Sequence, residues 1–176
     1  ISLQSGSDAT LKRMNRHYTT AQFAEVVEGL RRSFADCAIT TDIMTGFAGE
    51  TDEEFNETLD FVNKIRFSEA HVFQYSQRRG TPAARRPNQV LPEIKEERSK
   101  IIIEATNQSK HEFLSSHIGR TMEVLFETNV RDGIYEGKTA NYMTIHAPSD
   151  TDVSGKFCNV LLETAKNGII FGKIVD

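Results

Sequence analysis

Apolar positions follow two different rhythms along this chain. Up to about residue 75, short apolar or β-branched runs alternate with stretches of helical spacing. Ser2–Leu3 reads as the end of a strand, Gln4–Ser7 as a turn, and Asp8–Met14 as the first turns of a helix. Thr19 and Gln22 then form a capping-box pair, in which hydroxyl and side-chain amide each serve an otherwise unpaired backbone N–H. Phe23, Val26, Val27, Leu30 and Phe34 follow at helical spacing and predict one apolar face. Ala38–Thr45 predicts a strand that stops at Gly46. A second capping box, Thr51 with Glu54, opens a helix to about Ile65, with Phe55, Leu59 and Val62 facing inward. Asp52 and Glu53 in its first turn suit the positive end of the helix dipole. Ala70–Tyr75 predicts the next strand.

Strand–helix–strand units with such short connections predict parallel strands, whose functional residues gather where loops leave the strand C-termini. Here those loops are Gln4–Ser7, Gly46–Glu50 and Tyr75–Gly80. Residues 78–91 form a loop with Pro82 and Pro87, and Pro92 fits the first position of a helix reaching about Ser116. Ile94, Ile101, Ile102, Ala105 and Phe113 supply its apolar face, and Gly119 suits its exit. From Thr121 the period changes to two. Met122, Val124 and Phe126 alternate with Glu123, Leu125 and Glu127, and the runs 134–139, 142–147, 156–163 and 169–175 follow between turn residues. Five short strands in under 60 residues predict a small barrel, with a domain boundary near residue 118. The fold class is α/β followed by a small all-β module.

A hydrophobic share of 38% against 26% charged residues marks an ordinary globular chain. No apolar run approaches the roughly 20 residues of a membrane helix, and no signal-peptide pattern opens the chain, so the expected location is the cytoplasm. The chain starts without methionine inside a strand–turn–helix unit, which reads as a fragment cut just upstream of a functional loop. Cys37 and Cys158 lack metal-ligand spacing and are expected to be buried apolar residues, so a metal cluster would be ligated elsewhere.

The net charge of −4 gives no overall case for nucleic acid, but its distribution is uneven. Residues 1–77 carry 7 Lys and Arg against 12 acids, whereas residues 78–110 carry 8 against 4. Arg78, Arg79, Arg85 and Arg86 crowd one acid-free loop, which either holds phosphates or is simply solvated. In "TTDIMTGFAGETDEEF", Asp42 sits near a strand end, and Gly46 and Gly49 allow backbone amides to approach a carboxylate or ribose. The same glycines also serve a plain strand–helix turn. Gln4, Ser5 and Ser7 offer donors and acceptors at the neighbouring strand mouth, while Ser7 alone could act as a helix cap. His71 reads as a packed or edge histidine. No Ser/His/Asp set and no carboxylate pair stands out.

The ordered set "SLQSGSD…LKRMNRHYT", "TTDIMTGFAGETDEEFNETLDFV", "HVFQYSQRRGTPAARRPNQV", "KEERSK" and "HIGRTMEVLFE" resembles the radical S-adenosylmethionine methylthiotransferases over nearly the whole chain. The resemblance implies a C-terminal piece of such an enzyme. Residues 1–91 would be the later strands of a partial (β/α) half-barrel, 92–118 a connecting helix, and 119–176 a TRAM module, an OB-like barrel that binds RNA. It implies S-adenosylmethionine and two 4Fe–4S clusters in the whole protein, with cluster ligands outside this chain. The implied reaction inserts sulfur and then a methyl group at an unreactive C–H bond. The partner would be tRNA, not DNA or a membrane, and the sulfur donor is not identified.

By the same resemblance Gln4, Ser5, Ser7, Asp42, Gly46, Phe73 and Tyr75 border the cofactor. Ala48 stands where the family usually has proline. The arginine loop would face substrate. The module at 119–176 carries 6 Lys and Arg against 8 acids, so any RNA contact must be a local patch. Arg120, Arg131, Tyr135, Lys138, Asn141 and Tyr142 are its candidates, the tyrosines equally suited to barrel packing. "HVFQYSQRRGTPAARRPNQV" and "KTANYMTIHAP" resemble the branch acting on N6-threonylcarbamoyladenosine at position 37 of tRNA. Sister branches act on isopentenyladenosine or on a ribosomal protein. The piece alone is expected to be inactive. Two other readings compete: a non-catalytic RNA-binding module, and an unrelated nucleotide-binding α/β domain whose glycine turns hold phosphate.

Overall fold

The computed structural model describes residues 1–175, which form two compact units, 1–109 and 110–175. In the first, α1 (Asp8–Arg13), α2 (Thr20–Ser33), β1 (Thr40–Thr45), α3 (Asp52–Ile65), β2 (Glu69–Gln74) and most of α4 (Pro92–Ser115) follow in order. β1 pairs with β2 in parallel, aligning Asp42 with His71 and Met44 with Phe73. On the other edge of β1, Gln4 donates its N–H to the Asp42 carbonyl, and the Met44 N–H donates to the Gln4 carbonyl, each at 2.8 Å. The three segments therefore run parallel, as the alternation of elements predicts.

Both expected capping boxes are present. Thr19 accepts from the Gln22 N–H and Thr51 from the Glu54 N–H, and each partner side chain reaches back to the cap backbone. These pairs fix where α2 and α3 begin, and packing fixes which face turns inward. Phe23 and Val27 of α2 are buried against Phe55, Val62 and Ile65 of α3, with Leu3, Ile43 and Ile102. The apolar stripe of α2 is narrower than its sequence predicts. Val26 is exposed because it lies beside the 23–27 line, and Phe34 because it stands past the last helical residue with extended backbone. Ile94 is also exposed, one turn into α4. Cys37 and Cys158 are free thiols and only half-buried, at the margins of the two cores rather than inside them.

In the second unit β3 (Thr121–Arg131), β4 (Ile134–Thr139), β5 (Thr144–Pro148), β6 (Phe157–Lys166) and β7 (Ile169–Val175) close into a barrel in the order β3-β4-β5-β7-β6. All neighbours are antiparallel except β5 and β7. The two-residue alternation of β3 works as read, since Val124 and Phe126 are fully buried beside Ile145, Val160, Leu162 and Ile170. Closure leaves no unpaired sheet edge, which a small β module needs in water. The strand expected from Tyr142 begins two residues later, because Tyr142 adopts φ 65° in the turn before β5.

Candidate functional site

The polar residues of the first unit collect where its three parallel segments end. Leu3 is fully buried, and Gln4 takes φ 69°, which turns the chain out of its extended path. That turn folds Ser5–Ser7 against α3. The Thr58 hydroxyl accepts the Gly6 N–H at 3.1 Å and pairs with the Ser5 hydroxyl at 3.2 Å, and the Ser5 oxygen accepts the Ser7 N–H. A methyl group on Gly6 would lie 2.7 Å from the Thr58 Cα and 2.8 Å from the Phe61 Cβ. Only glycine lets the loop lie this close to the helix.

Replacing Gly6 by alanine will therefore push the loop off α3. A cost of about 1–3 kcal/mol is expected, as for other overpacked sites. A lowered thermal midpoint checks it, and an unchanged midpoint would show that the loop has room.

Ser5 is thus occupied by structure, but Ser7 is not. It stands at the N-cap of α1 without a capping bond, and its hydroxyl is buried with no protein partner. The capping role considered for it is not used.

The neighbouring turn is built from β1. Gly46 has φ 69° and donates its N–H to the Glu50 carboxylate at 2.9 Å. Glu50 is buried and bonds Arg98 of α4 at 2.7 Å, and Arg98 also reaches the Glu50 carbonyl and Asp52. Burial pushes the Glu50 carboxyl above the usual carboxylate range, even against the Gly46 N–H and the Arg98 guanidinium. Beside it, Arg13 grips Glu54 with both terminal guanidinium nitrogens, and these bonds hold the Glu54 carboxyl below its usual range. Phe47 packs edge-on against Tyr75, ring centroids 4.9 Å apart, with Met14, Met44 and Ala83 around them. Lys95 closes this cluster, donating to the Tyr75 carbonyl at 2.9 Å with its ammonium 5.2 Å from the ring centroid.

The structure brings Gln4, Ser5, Ser7, Gly46 and Tyr75 to adjoining strand ends, with Asp42 three residues before the end of β1 and Phe73 one before the end of β2. Asp42 accepts from the Ser2 hydroxyl at 2.5 Å. Asp42 and Met44 are half-buried on β1, alternating with buried Thr41, Ile43 and Thr45, and lie in register with His71 and Phe73. His71 is exposed and its ring sits 5.9 Å from that of Phe73. The Tyr75 hydroxyl is buried without a protein partner, like that of Ser7. The donor set is a polar, aromatic and thioether wall, which suits one side of an adenosyl–methionine molecule. It does not suit a metal cluster, since no group of three or more His, Cys, Asp or Glu that could hold one occurs among the described residues.

Arg78, Arg79, Arg85 and Arg86 are all exposed. In the barrel unit Tyr135 is buried in the core, so it packs rather than presenting a ring. Tyr142 is 78% exposed. Arg120 and Arg131 are exposed near the two ends of β3, Lys138 donates to Thr144, and Asn141 accepts from Thr139 in the turn that carries Tyr142. Sequence reasoning missed Thr58, Glu50, Arg98 and Lys95, which position these loops. The only local signal was the pairing of "GFAGE" with a charged helix start.

Comparison with known proteins gives the arrangement a context. The Radical SAM superfamily matches residues 1–62. A tRNA-2-methylthio-N(6)-dimethylallyladenosine synthase of Acetivibrio thermocellus is 38% identical over 99% of this chain and 37% of its own length. A protein of the same name from Thermoanaerobacter pseudethanolicus is 39% identical over 100% of this chain and 38% of its own length. A threonylcarbamoyladenosine tRNA methylthiotransferase of Bacillus subtilis is 39% identical over 91% of this chain and 36% of its own length. The chain thus spans under two fifths of the length of these three relatives, and it is similar to them along almost all of its own length.

Proposed function

We propose that this chain is the C-terminal part of a methylthiotransferase that modifies a hypermodified adenosine of tRNA by radical S-adenosylmethionine chemistry. The observation that carries the reading is a coincidence of two features in one segment. Residues 1–62 match the Radical SAM superfamily, and Gln4, Ser7, Asp42, Met44 and Phe47 of that segment build most of the strand-end wall, where the buried Ser7 hydroxyl has no protein partner. Residues 1–91 are then the later part of a (β/α) barrel, 92–118 its connecting helix, and 119–176 a TRAM module. On this reading the protein acts in the cytoplasm, where it meets tRNA.

S-adenosylmethionine, when bound and cleaved reductively, supplies the radical that removes hydrogen from an unreactive C–H bond. This chain's residues serve binding and exclusion of water. Gln4 and Ser7 offer hydrogen bonds to polar groups of the cofactor, and Asp42 offers an acceptor for ribose hydroxyls. Phe73 and Met44 give an apolar wall for the adenine, and Tyr75 with Phe47 seals the strand ends. Glu50, Arg98 and Lys95 are positioning residues, holding the Gly46–Glu50 turn to α4. On this reading the cluster ligands lie outside this chain.

In the barrel module, Arg120, Arg131 and Lys138 are suited to phosphate oxygens, and Asn141 to a base edge. Tyr142, exposed in its turn, is suited to stacking on an unpaired base. For the substrate we favour N6-threonylcarbamoyladenosine at position 37. Support comes from "HVFQYSQRRGTPAARRPNQV" and "KTANYMTIHAP", together with the similarity to the Bacillus subtilis protein. A second reading, dimethylallyladenosine, draws on the Acetivibrio and Thermoanaerobacter proteins.

The test is cofactor turnover by the full-length protein, reconstituted without oxygen. Formation of methionine and 5′-deoxyadenosine that requires both S-adenosylmethionine and tRNA is expected. Salt-dependent tRNA binding without any cofactor cleavage would instead make the protein a non-catalytic RNA-binding module.

A further inference from the structure

The arginine loop after β2 is held firmly by its backbone while its charges are left free. The Thr81 hydroxyl donates to the Arg78 carbonyl at 2.8 Å and accepts the Ala84 N–H. Pro82 leads into a 3-10 turn at Ala83–Arg85. The Gln89 amide donates to the Ala83 and Arg86 carbonyls, both at 3.0 Å. The Asn88 carbonyl accepts the Gly49 N–H at 2.9 Å, which ties the loop to the strand-end turn. Arg86 reaches the Arg13 carbonyl at 3.4 Å.

Arg78, Arg79 and Arg85 have no hydrogen-bond or ion-pair partner for their side chains among the described residues. Other arginines of this unit do have partners: Arg13 holds Glu54, Arg31 the Ile65 and Arg66 carbonyls, and Arg98 both Glu50 and Asp52. No acid occurs anywhere from Gln77 to Leu91. Like charges on a fixed loop repel one another, and a polyanion relieves that repulsion. Arg79 and Arg85, with Gln77, Gly80 and Ala84, line a groove of about 580 Å³. Two planar guanidinium forks on one groove match phosphate oxygens, and no carboxylate of the loop competes for them.

We propose that this groove is a phosphodiester clamp, in which Arg79 and Arg85 grip adjacent backbone phosphates of the RNA and so register it against the strand-end site. This rests on the reading of the protein as a tRNA enzyme and adds the residues that position the substrate. Arg86, engaged by a backbone carbonyl, belongs to the scaffold of the loop more than to the clamp.

The test measures tRNA binding by the full-length protein over a potassium chloride series, using fluorescently labelled bulk tRNA from cells lacking the gene. Each phosphate contact contributes about 0.7–0.9 to the slope of log affinity against log salt, so Arg79→Ala with Arg85→Ala should flatten the slope by about 1.4–1.8. Affinity at low salt should fall at least tenfold. Arg79→Lys with Arg85→Lys should keep the slope while losing part of the affinity. Arg32→Ala, removing an exposed arginine already paired with Glu28, should change neither. Circular dichroism identical to the wild type keeps the comparison fair. An unchanged slope in the double alanine variant, while the wild type still modifies tRNA, overturns the clamp alone. A wild type that binds no tRNA overturns both the clamp and the function proposed above.

Discussion

Replacing Glu50 by alanine will destabilise the first unit by about 3–5 kcal/mol, the usual cost of stripping one partner from a buried ion pair. The Glu50 and Arg98 side chains are 3% and 6% exposed and bond at 2.7 Å. Without Glu50 the guanidinium stays buried with only a carbonyl and Asp52, and Asp52 is 87% exposed, where water screens it. The Gly46 N–H also loses its acceptor, so the strand-end turn loosens together with its tie to α4. A fall of about 2 M in the urea midpoint, followed by circular dichroism, is the expected reading. An unchanged midpoint would mean that the pair does not form in solution.

The same carboxylate sets a pH dependence whose sign follows from its burial. Its folded-state pKa is raised, so the folded chain holds this proton at pH values where the unfolded chain has released it. The proton-linked part of its contribution is therefore greatest below the ordinary glutamate range and is lost as pH rises through the raised folded value, while the bond to Arg98 persists. Glu50→Gln should remove that decline while keeping an acceptor for Gly46.

Replacing Phe126 by alanine will destabilise the barrel unit by a similar amount, about 3–5 kcal/mol. Phe126 is fully buried and is the largest such side chain in a core it shares with Val124, Ile145, Val160, Leu162 and Ile170. A five-stranded barrel this small has little stability in reserve, so the loss should be close to its whole margin. Hydrogen exchange should show amide protection collapsing across β3–β7. Protection retained there would mean that the core closes over the gap. Tyr142→Ala is the counterpart on the surface, and it should leave that protection intact.

The parts of the fold legible in the sequence are those specified locally. Thr19 with Gln22, and Thr51 with Glu54, announce helix starts because a capping box needs only four consecutive residues. Val124 and Phe126 announce an inward face because a strand repeats every two residues. What escaped depends on partners distant in sequence. Glu50 and Arg98 meet across 48 residues, and each alone looks like a solvated charge. Thr58 looks like a helix-surface threonine until the Gln4 turn lays Gly6 on it. Val26 fits the helical period of α2 yet stays in water, because the period gives spacing and the neighbouring elements decide how wide a stripe they cover. Gln4, Ser5, Ser7, Asp42 and Gly46 stood out as polar groups and a tight turn at strand C-termini, a pattern that a plain strand–helix turn also produces. Only the family resemblance tied them, with Phe73 and Tyr75, to a cofactor, and the geometry then separates Ser7, with an unused buried hydroxyl, from Ser5, already bonded to Thr58.

The central claim is that this chain comes from an enzyme that methylthiolates a hypermodified adenosine of tRNA. Mass spectrometry of nucleosides from the tRNA of cells lacking the gene tests it most directly. The account predicts loss of the methylthio form of threonylcarbamoyladenosine, accumulation of its unmethylthiolated precursor, and restoration by the full-length gene. Loss of the dimethylallyl counterpart instead would keep the chemistry and change the substrate. A nucleoside profile identical to that of the parent strain would contradict the account.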